Sequence, residues 1–288
     1  TFPRHALPEL YRLVAKPIID QLPENIDSLI LSPDGILTFL PFSALYENPG
    51  SPFLAEQFNL FQVSSGRDLL DEFETFHSKT ITLFGNPEYK KALPSPQKEE
   101  NLLAMQMEDN EHFRNLSLAP LPGTAEEVAM LQNLVNGSYQ TTSHLGPEAT
   151  EENLRQVQNP GILHLATHGF FIESPDKIKS NTGQSRFFGL SSSQESELSN
   201  PMRRAGLALA GAQNTFDAWA ENKSTISEND GIFTGEEATL LNLKNTWLTT
   251  LSACETGKGS TMPGEGVFGL RRAFSQAGTQ NLLLTLWP

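Results

Sequence analysis

From Thr80 onward, short apolar runs rich in β-branched residues alternate with segments of helical spacing, and this alternation most restricts the possible folds. Four runs read as strands: KTITLFGNP, GILHLATHGFF, NTWLTTLSAC and NLLLTLWP. Helical patterns such as AEEVAMLQNLV and GVFGLRRAFSQAG stand between such runs, and Thr124 with Glu127 predicts a capping box on the first of these helices. Because strand–helix–strand units connect parallel strands, we predict an α/β fold with a mostly parallel sheet flanked by helices.

The first 79 residues have a different pattern, so we predict two domains, 1–79 and 80–288. Apolar residues at helical spacing predict a helix over residues 8–22. The tripeptide Pro33-Asp34-Gly35 lies between two strand-like runs and therefore predicts a β-hairpin. The stretch FNLFQV predicts a further strand.

Composition excludes several classes of protein. The chain carries 34 acidic and 20 basic residues, a formal net charge of −14, which argues against direct binding to nucleic acid phosphates. It has one cysteine, so no internal disulfide can form, and we predict a reducing cytoplasmic location. No apolar run approaches the roughly 20 residues of a membrane helix, and the first residues lack a secretory signal, so we expect no membrane association.

Three short motifs resemble cofactor or metal sites but fail on their context. GEGVFG has the letters of a dinucleotide fingerprint, yet nine residues separate it from the strand that ends at Cys254. GKGS has glycine after lysine, where a phosphate loop needs serine or threonine. His164 and His168 have the spacing of a helical zinc pair but lie in a strand-like run. We therefore predict no cofactor and no metal.

Cys254 and His168 form the candidate catalytic pair. Each stands near the end of a predicted strand, and parallel neighbouring strands end at one edge of a sheet, where α/β proteins place their sites. A thiol beside an imidazole base can perform acyl transfer, and the backbone N–H groups of Gly169 and Cys254 can act as oxyanion donors. A lone cysteine in an apolar run is also a common core residue, so the residues alone leave both interpretations open.

Other polar residues near this pair have candidate roles. Glu255 is a candidate to orient the imidazolium, or else to bond to the loop backbone. His164 shares a strand face with His168, and we interpret it as structural. Acidic residues near the active strands are candidates for a pocket that accepts Arg or Lys: Asp217, Asp230, Glu236 and Glu237.

Several stretches together resemble the CHAT domain: LSPDGILTFLPFSAL, PLPGTAEEVAML, ILHLATHGFF, RRAGLALAGAQN, DGIFTGEEATLLNLKNTWLTTLSACETGKG and GEGVFGLRRAFSQAGTQNLLLTLWP. This family comprises caspase-like, separase-related cysteine peptidases of clan CD, which are common in bacteria and often follow tetratricopeptide repeats. The resemblance runs from about Leu10 to the last residue.

The resemblance implies roles for individual residues. His168 matches the general base, Cys254 the nucleophile, and the N–H groups of Gly169 and Cys254 the oxyanion hole. KTITLFGNP resembles the first strand of a caspase-type sheet and NLLLTLWP a later one. The residues before about 77 resemble a lead-in subdomain that joins an upstream sensor. Family members usually continue beyond the position of Pro288, so we expect a core that is truncated at its C-terminal end.

Together these observations predict a caspase-like cysteine endopeptidase that hydrolyses a protein or peptide substrate through a Cys–His dyad. A tetratricopeptide-repeat or other sensor region, upstream or on another chain, is the expected regulator. Two polar segments, 173–201 and 214–229, are predicted to be mobile loops and candidates for self-cleavage. The alternative is a catalytically silent adaptor or oligomerisation module.

Overall fold

A computed structural model describes residues 6–63, 65–70, 78–91, 117–171, 201–221, 229–255 and 264–285. The chain divides into two compact units, residues 1–72 and 73–288. The predicted domain boundary after residue 79 and the predicted C-terminal truncation of the core stay predictions.

The first unit begins with a helix in three segments: α1 (Ala6–Leu10), a π-helical turn (Tyr11–Ala15) and α2 (Lys16–Ile19). The observed helix therefore starts and ends earlier than the helix predicted over residues 8–22. Its buried face places Tyr11 and Ala15 in one apolar cluster with Leu45 and Leu54. This cluster is the core of the unit.

The predicted β-hairpin in this unit is wrong. Strand β1 (Ser28–Leu31) pairs in parallel with β2 (Asn59–Gln62), and the residues after Asp34 form a 3₁₀ helix (Gly35–Phe39). The Asp34 carboxylate accepts a hydrogen bond from the Gly35 N–H at 2.7 Å, which caps this helix. A second 3₁₀ turn (Phe42–Ala44) and α3 (Leu54–Gln57) follow before β2, and a third (Gly66–Leu70) comes after it. The apolar residues that suggested a second strand instead reach the core from these turns.

The second unit contains a seven-stranded sheet and six helices within the described residues. Its strands are β3 (Thr80–Pro87), β4 (Gln140–Gly146), β5 (Ile162–Phe171), β6 (Ala205–Ala208), β7 (Ile232–Thr234), β8 (Leu248–Glu255) and β9 (Asn281–Leu284). Its helices are α4 (Pro122–Leu134), α5 (Glu151–Arg155), α6 (Pro201–Arg204), α7 (Ala212–Ala220), α8 (Gly235–Ala238) and α9 (Gly264–Gln276). In the described part of the chain, no helix is long and apolar enough to cross a membrane.

Strand β5 is the centre of this sheet. It pairs in parallel with β3 and β8, while β4 extends the sheet beyond β3 and β9 extends it beyond β8. Strands β6 and β7 add an antiparallel pair. The predicted α/β class with a mostly parallel, helix-flanked sheet is confirmed, and it agrees with the caspase-like fold that the resemblance implied.

One edge of β5 changes partner halfway along the strand. The pairing with β3 ends at Ala166, and from His168 onward the partner is β6. Strand β3 ends in Pro87, which has no N–H to donate to a ladder, and Asn86 before it has a positive φ of 45°. The edge of β5 beyond Ala166 is thereby open to β6.

The predicted capping box at Thr124 and Glu127 is also wrong. Helix α4 already begins at Pro122, so Thr124 lies inside its first turn. The Thr124 hydroxyl donates to the Leu121 carbonyl at 2.8 Å and accepts from the Asn86 N–H at 2.7 Å. Proline suits the first turn because its missing N–H needs no partner there, and this moves the helix start upstream.

The prediction of a mobile loop over 214–229 is wrong for its first part, which belongs to α7. Two aromatic residues one helical turn apart, Phe216 and Trp219, are buried there, and Phe216 makes an edge contact with Phe170 at 5.6 Å between ring centroids. These contacts stabilise a helix in a stretch whose polar composition had predicted a loop. Residues 222–228 and 172–200, which hold the rest of both predicted loops, lie outside the described residues.

Candidate functional site

Strand pairing brings the two predicted dyad residues together. His168 of β5 is the register partner of Cys254 of β8, and Gly169 is the partner of Glu255. Adjacent strands lie about 4.8 Å apart, so the two backbones are direct neighbours. For Cys254 and Glu255 the description is limited to the backbone, and the side-chain roles predicted for them stay predictions.

His168 does not end its strand as the sequence suggested. Strand β5 continues for three more residues, all of which pair with β6, while the pairing with β8 on the other edge extends to Gly169. His168 pairs with Ala208 as well as with Cys254, and Gly169 pairs with Leu207. Gly169 therefore lies inside the sheet and not in a turn after the histidine. Its role as an oxyanion donor stays a prediction.

The His168 side chain has a defined orientation. It is 8% exposed, and its Nε2 lies 2.8 Å from the backbone carbonyl oxygen of Ala119, which can only accept a hydrogen bond. Nε2 therefore carries the proton in the neutral ring, and Nδ1 is left with a lone pair. Burial lowers the pKa of His168, while the bond to Ala119 acts in the opposite direction. The ring is thus neutral near pH 7 and can accept a proton at Nδ1.

The sequence offered no third carboxylate to orient His168, and in the structure the Ala119 carbonyl contacts the ring instead. Residues 117–121, which we call the 117–121 segment, form no helix or strand and lead directly into α4. Alanine has no side-chain signal, and a backbone carbonyl can come from any residue. Sequence reasoning therefore missed this contact.

Tyr89 is a second residue that sequence reasoning missed. It follows β3, is buried, and its ring lies 5.3 Å from the His168 ring between centroids, with a tilt of 33°. Its hydroxyl accepts from the His168 N–H at 3.4 Å and lies 3.0 Å from the Thr167 hydroxyl, which donates to the Ala208 carbonyl. Burial raises the pKa of Tyr89, so its hydroxyl stays protonated.

His164 lies four residues before His168 on β5, on the same face of the strand, where it joins the sheet to α4. Its Nδ1 is 2.9 Å from the Thr250 hydroxyl, and its Nε2 is 3.3 Å from a Glu127 carboxylate oxygen, within ion-pair distance but without hydrogen-bond alignment. The other Glu127 oxygen accepts from the Ser252 hydroxyl at 3.4 Å. Burial lowers the pKa of His164, and the Glu127 charge opposes this shift. Glu127 thus contacts β5 and β8 rather than capping its own helix.

The four acidic residues predicted to form a pocket each have a partner within the protein. Asp217 accepts from the Gln213 side-chain amide at 2.7 Å, and Glu236 forms an ion pair with Arg203 at 2.7 Å. Glu237 accepts from the Thr234 N–H and hydroxyl at 2.8 Å in a capping box at the start of α8. The pocket for a basic side chain stays a prediction.

Asp230 belongs to a carboxylate cluster with Glu151, Glu237 and one arginine, in which Glu151 is buried and the other side chains are partly exposed. Arg155 contacts Glu151 at 2.6 Å and Glu237 at 2.8 Å, and Asp230 accepts from the Ile232 N–H at 2.8 Å. Burial raises the pKa of Asp230 from 3.8 to about 7 and raises the pKa of Glu151 well above its usual range. One guanidinium thus faces three carboxyl groups, two of which resist ionisation. Within the described ranges, no three His, Cys, Asp or Glu side chains form a group that could hold a metal ion.

Comparison with known proteins identifies the family. The family model described as the CHAT domain matches residues 4–288. A search of curated proteins found no match. Because the family model covers all but the first three residues, the chain belongs to the CHAT domain family.

Proposed function

We propose that this protein is a caspase-like cysteine endopeptidase in which Cys254 is the nucleophile and His168 the general base. The CHAT family is related to caspase-like peptidases, which supports a hydrolase. The observation that carries the proposal is the His168–Cys254 register pair, combined with a neutral imidazole whose Nε2 is bonded to Ala119. A base for a thiol must present an unprotonated nitrogen, and in this tautomer that nitrogen is Nδ1.

In the proposed reaction, Nδ1 of His168 accepts the thiol proton while the sulfur of Cys254 forms a bond to the peptide carbonyl carbon. The carbonyl oxygen becomes negative and is stabilised by the backbone N–H groups of Gly169 and Cys254. His168 then gives the proton to the leaving nitrogen as the C–N bond breaks. Water attacks the acyl-enzyme, His168 takes one water proton, and that proton returns to the sulfur as the carboxylic acid product leaves.

The Ala119 carbonyl has a defined part in this scheme. When His168 becomes an imidazolium, the Nε2–H donor becomes stronger and the carbonyl dipole stabilises the positive charge. The tilted Tyr89 ring restricts rotation of the imidazole on its other side. These two contacts supply the orientation that other hydrolases obtain from a carboxylate.

The substrate in this proposal is a protein or peptide, and the regulator is a tetratricopeptide-repeat or other sensor region, upstream or on another chain. Self-cleavage within 173–201 or 214–229 and a cytoplasmic location complete the proposal. Asp217 and Asp230 would take part in substrate binding only if their internal hydrogen bonds were exchanged for a bond to the substrate.

One observation favours the alternative of a catalytically silent adaptor. Strand β5 continues past His168 between β6 and β8, so the sheet at Gly169 has neighbours on both edges. A sheet that is continuous at this point is suited to a rigid docking platform, and a peptidase would have to admit a substrate carbonyl there.

Labelling with an acyloxymethyl ketone probe, combined with cleavage of a peptide library, distinguishes the two functions. We expect the wild-type protein to be labelled and Cys254→Ala to be unlabelled. We expect the labelling rate of His168→Ala to be at least about 100-fold lower than that of the wild type. His144→Asn is the matched control, because His144 lies on β4 and stacks on Phe84 away from the β5–β8 pair. Equal labelling of wild type and Cys254→Ala would exclude the peptidase and leave the adaptor.

A further inference from the structure

A buried glutamine connects the two loops that contact His168. Gln213, at the start of α7, is 4% exposed. Its side-chain oxygen accepts from the Leu118 N–H at 2.7 Å, and its side-chain nitrogen donates to Asp217 at 2.7 Å. Its backbone N–H donates to the Tyr89 carbonyl at 2.9 Å. One residue is therefore bonded to the 117–121 segment and to the loop after β3.

Both bonded loops reach the imidazole. Leu118 directly precedes Ala119, whose carbonyl accepts from Nε2 of His168, and Tyr89 lies against the imidazole ring. Gln213 itself acts on His168 only through these neighbours. Its arrangement is that of a residue that positions a catalytic group without touching it.

The 117–121 segment needs such a bond because it has no regular hydrogen-bond ladder. At its C-terminal end, Thr124 of α4 is bonded to Asn86. At its N-terminal end, the Leu118 side chain is buried in one cluster with Phe216, which holds the position of the segment but not the rotation of its peptide groups. The directional bond from the Leu118 N–H to Gln213 fixes the orientation of the peptide that ends at Leu118. This peptide lies two peptide units before the Ala119 carbonyl, so the bond anchors the start of the short stretch that carries this carbonyl to Nε2.

We propose that Gln213 is a positioning residue that sets the tautomer of His168 by holding the Ala119 carbonyl on Nε2. Loss of this hold releases the ring to the other tautomer, in which Nδ1 carries the proton and cannot act as a base. The effect on catalysis rests on the proposed function, whereas the effect on the tautomer does not.

The tautomer can be measured directly in protein with ¹⁵N-labelled histidine. At a pH above the pKa of His168, NMR of the ring nitrogens should show a protonated Nε2 in the wild type, and the signal is assigned by its loss in His168→Gln. Gln213→Met has nearly the same shape but no amide, and we expect it to populate both tautomers. Asn214→Ala is the matched control, because it removes a bond of 2.6 Å from the same helix to the Lys91 carbonyl and leaves the Leu118 bond intact.

A double variant reverses the polarity of the chain of bonds. In Gln213→Glu/Asp217→Asn, the new carboxylate still accepts from the Leu118 N–H, and the new amide at 217 donates to it. We expect this variant to restore the wild-type tautomer and activity, while Gln213→Met lowers kcat at least 10-fold with KM changed less than threefold. The pH profile of Gln213→Met should also change, which a purely structural substitution such as Asn214→Ala should not cause.

The outcomes are separable. A wild-type tautomer in Gln213→Met overturns the inference, whatever happens to activity. If Gln213→Met does not fold, a double variant that folds with a mixed tautomer overturns it, and a double variant with Nε2 protonated supports it. A changed tautomer in Gln213→Met, in a protein whose wild type cleaves no peptide, supports the positioning role and refutes the peptidase.

Discussion

At the scale of single residues, burial and one backbone carbonyl decide the chemistry of His168. An isolated histidine has a pKa of 6.5 and two tautomers of similar energy. Here burial lowers the pKa, and the Ala119 carbonyl selects the tautomer. The same physical effect acts on Asp230 with opposite sense, because burial disfavours a negative charge as it disfavours a positive one.

The lowered pKa of His168 gives a pH prediction for the proposed activity. Only the neutral imidazole can take the thiol proton, so activity is lost as His168 becomes protonated at low pH. Because burial lowers its pKa, we expect the acidic limb of the rate of probe labelling to lie below pH 6.5. A limb at or above pH 6.5 would contradict this assignment.

Asp230 gives a stability prediction whose sign follows from linkage. Its pKa of about 7 in the folded protein exceeds the ordinary 3.8, so folding takes up a proton between these values and stability falls as pH rises through them. Asp230→Asn cannot ionise. We expect the change in its free energy of unfolding relative to the wild type to be about 1–2 kcal/mol more stabilising at pH 8 than at pH 4. This difference is smaller than the whole pKa shift of Asp230 would give, because Arg155 and Glu151 share the charge.

Urea unfolding at the two pH values measures this difference. Asparagine keeps an oxygen that can accept from the Ile232 N–H, so the backbone contact of Asp230 is retained. An Asp230→Asn variant with the same change at both pH values would show that the carboxylate is ionised at little cost.

At the scale of elements, the close approach of α4 to β3 is what brings the 117–121 segment to the sheet. Gly85 of β3 permits it: a Cβ there would lie 2.9 Å from the Thr124 carbonyl oxygen and 2.9 Å from a Val128 methyl group. A larger residue would have to push the helix away from the strand, since the oxygen belongs to the backbone.

Gly85→Ala should therefore destabilise the protein by about 1–3 kcal/mol in urea unfolding, because the added methyl group overpacks the helix–strand contact. Gly123→Ala is the matched control in the same helix, because a Cβ at position 123 meets no atom within 4 Å. We expect this control to be neutral or slightly stabilising. Equal stability of the two variants would mean that α4 can shift freely on β3.

At the scale of the whole molecule, the net charge of −14 affects encounter with substrates more than it affects the fold. In the proposed peptidase, a substrate with lysines outside the cleaved segment should have a higher kcat/KM at low salt than the same substrate with glutamates. The ratio should shrink at 0.3 M salt, where charges are screened over a few ångströms. A ratio that does not depend on salt would assign any preference to a specific pocket.

The sequence predicted most of the sheet because local patterning determines it. Alternating apolar runs gave β3, β5, β8 and β9 and their parallel pairing, since strands of that composition must be buried on both faces. The hairpin at Asp34 and the loop at 214 were wrong for one reason: buried apolar residues outweighed the turn signal in one case and the polar composition in the other. Strands β4, β6 and β7 were not predicted, because β4 is polar in sequence and β6 and β7 have only four and three residues.

By itself, the sequence determined the fold class and the proximity of positions 168 and 254, because it placed both near the ends of neighbouring parallel strands. The register that makes them direct partners came from the structure, since β5 continues past His168 and is longer than β8. Only the tertiary structure decided the state of the imidazole. The Ala119 carbonyl, the Tyr89 ring and the Gln213 amide lie 49, 79 and 45 residues from His168 along the chain. A backbone carbonyl has no side-chain signature, and hydrogen bonds over such separations depend on where helices pack, which no local pattern encodes.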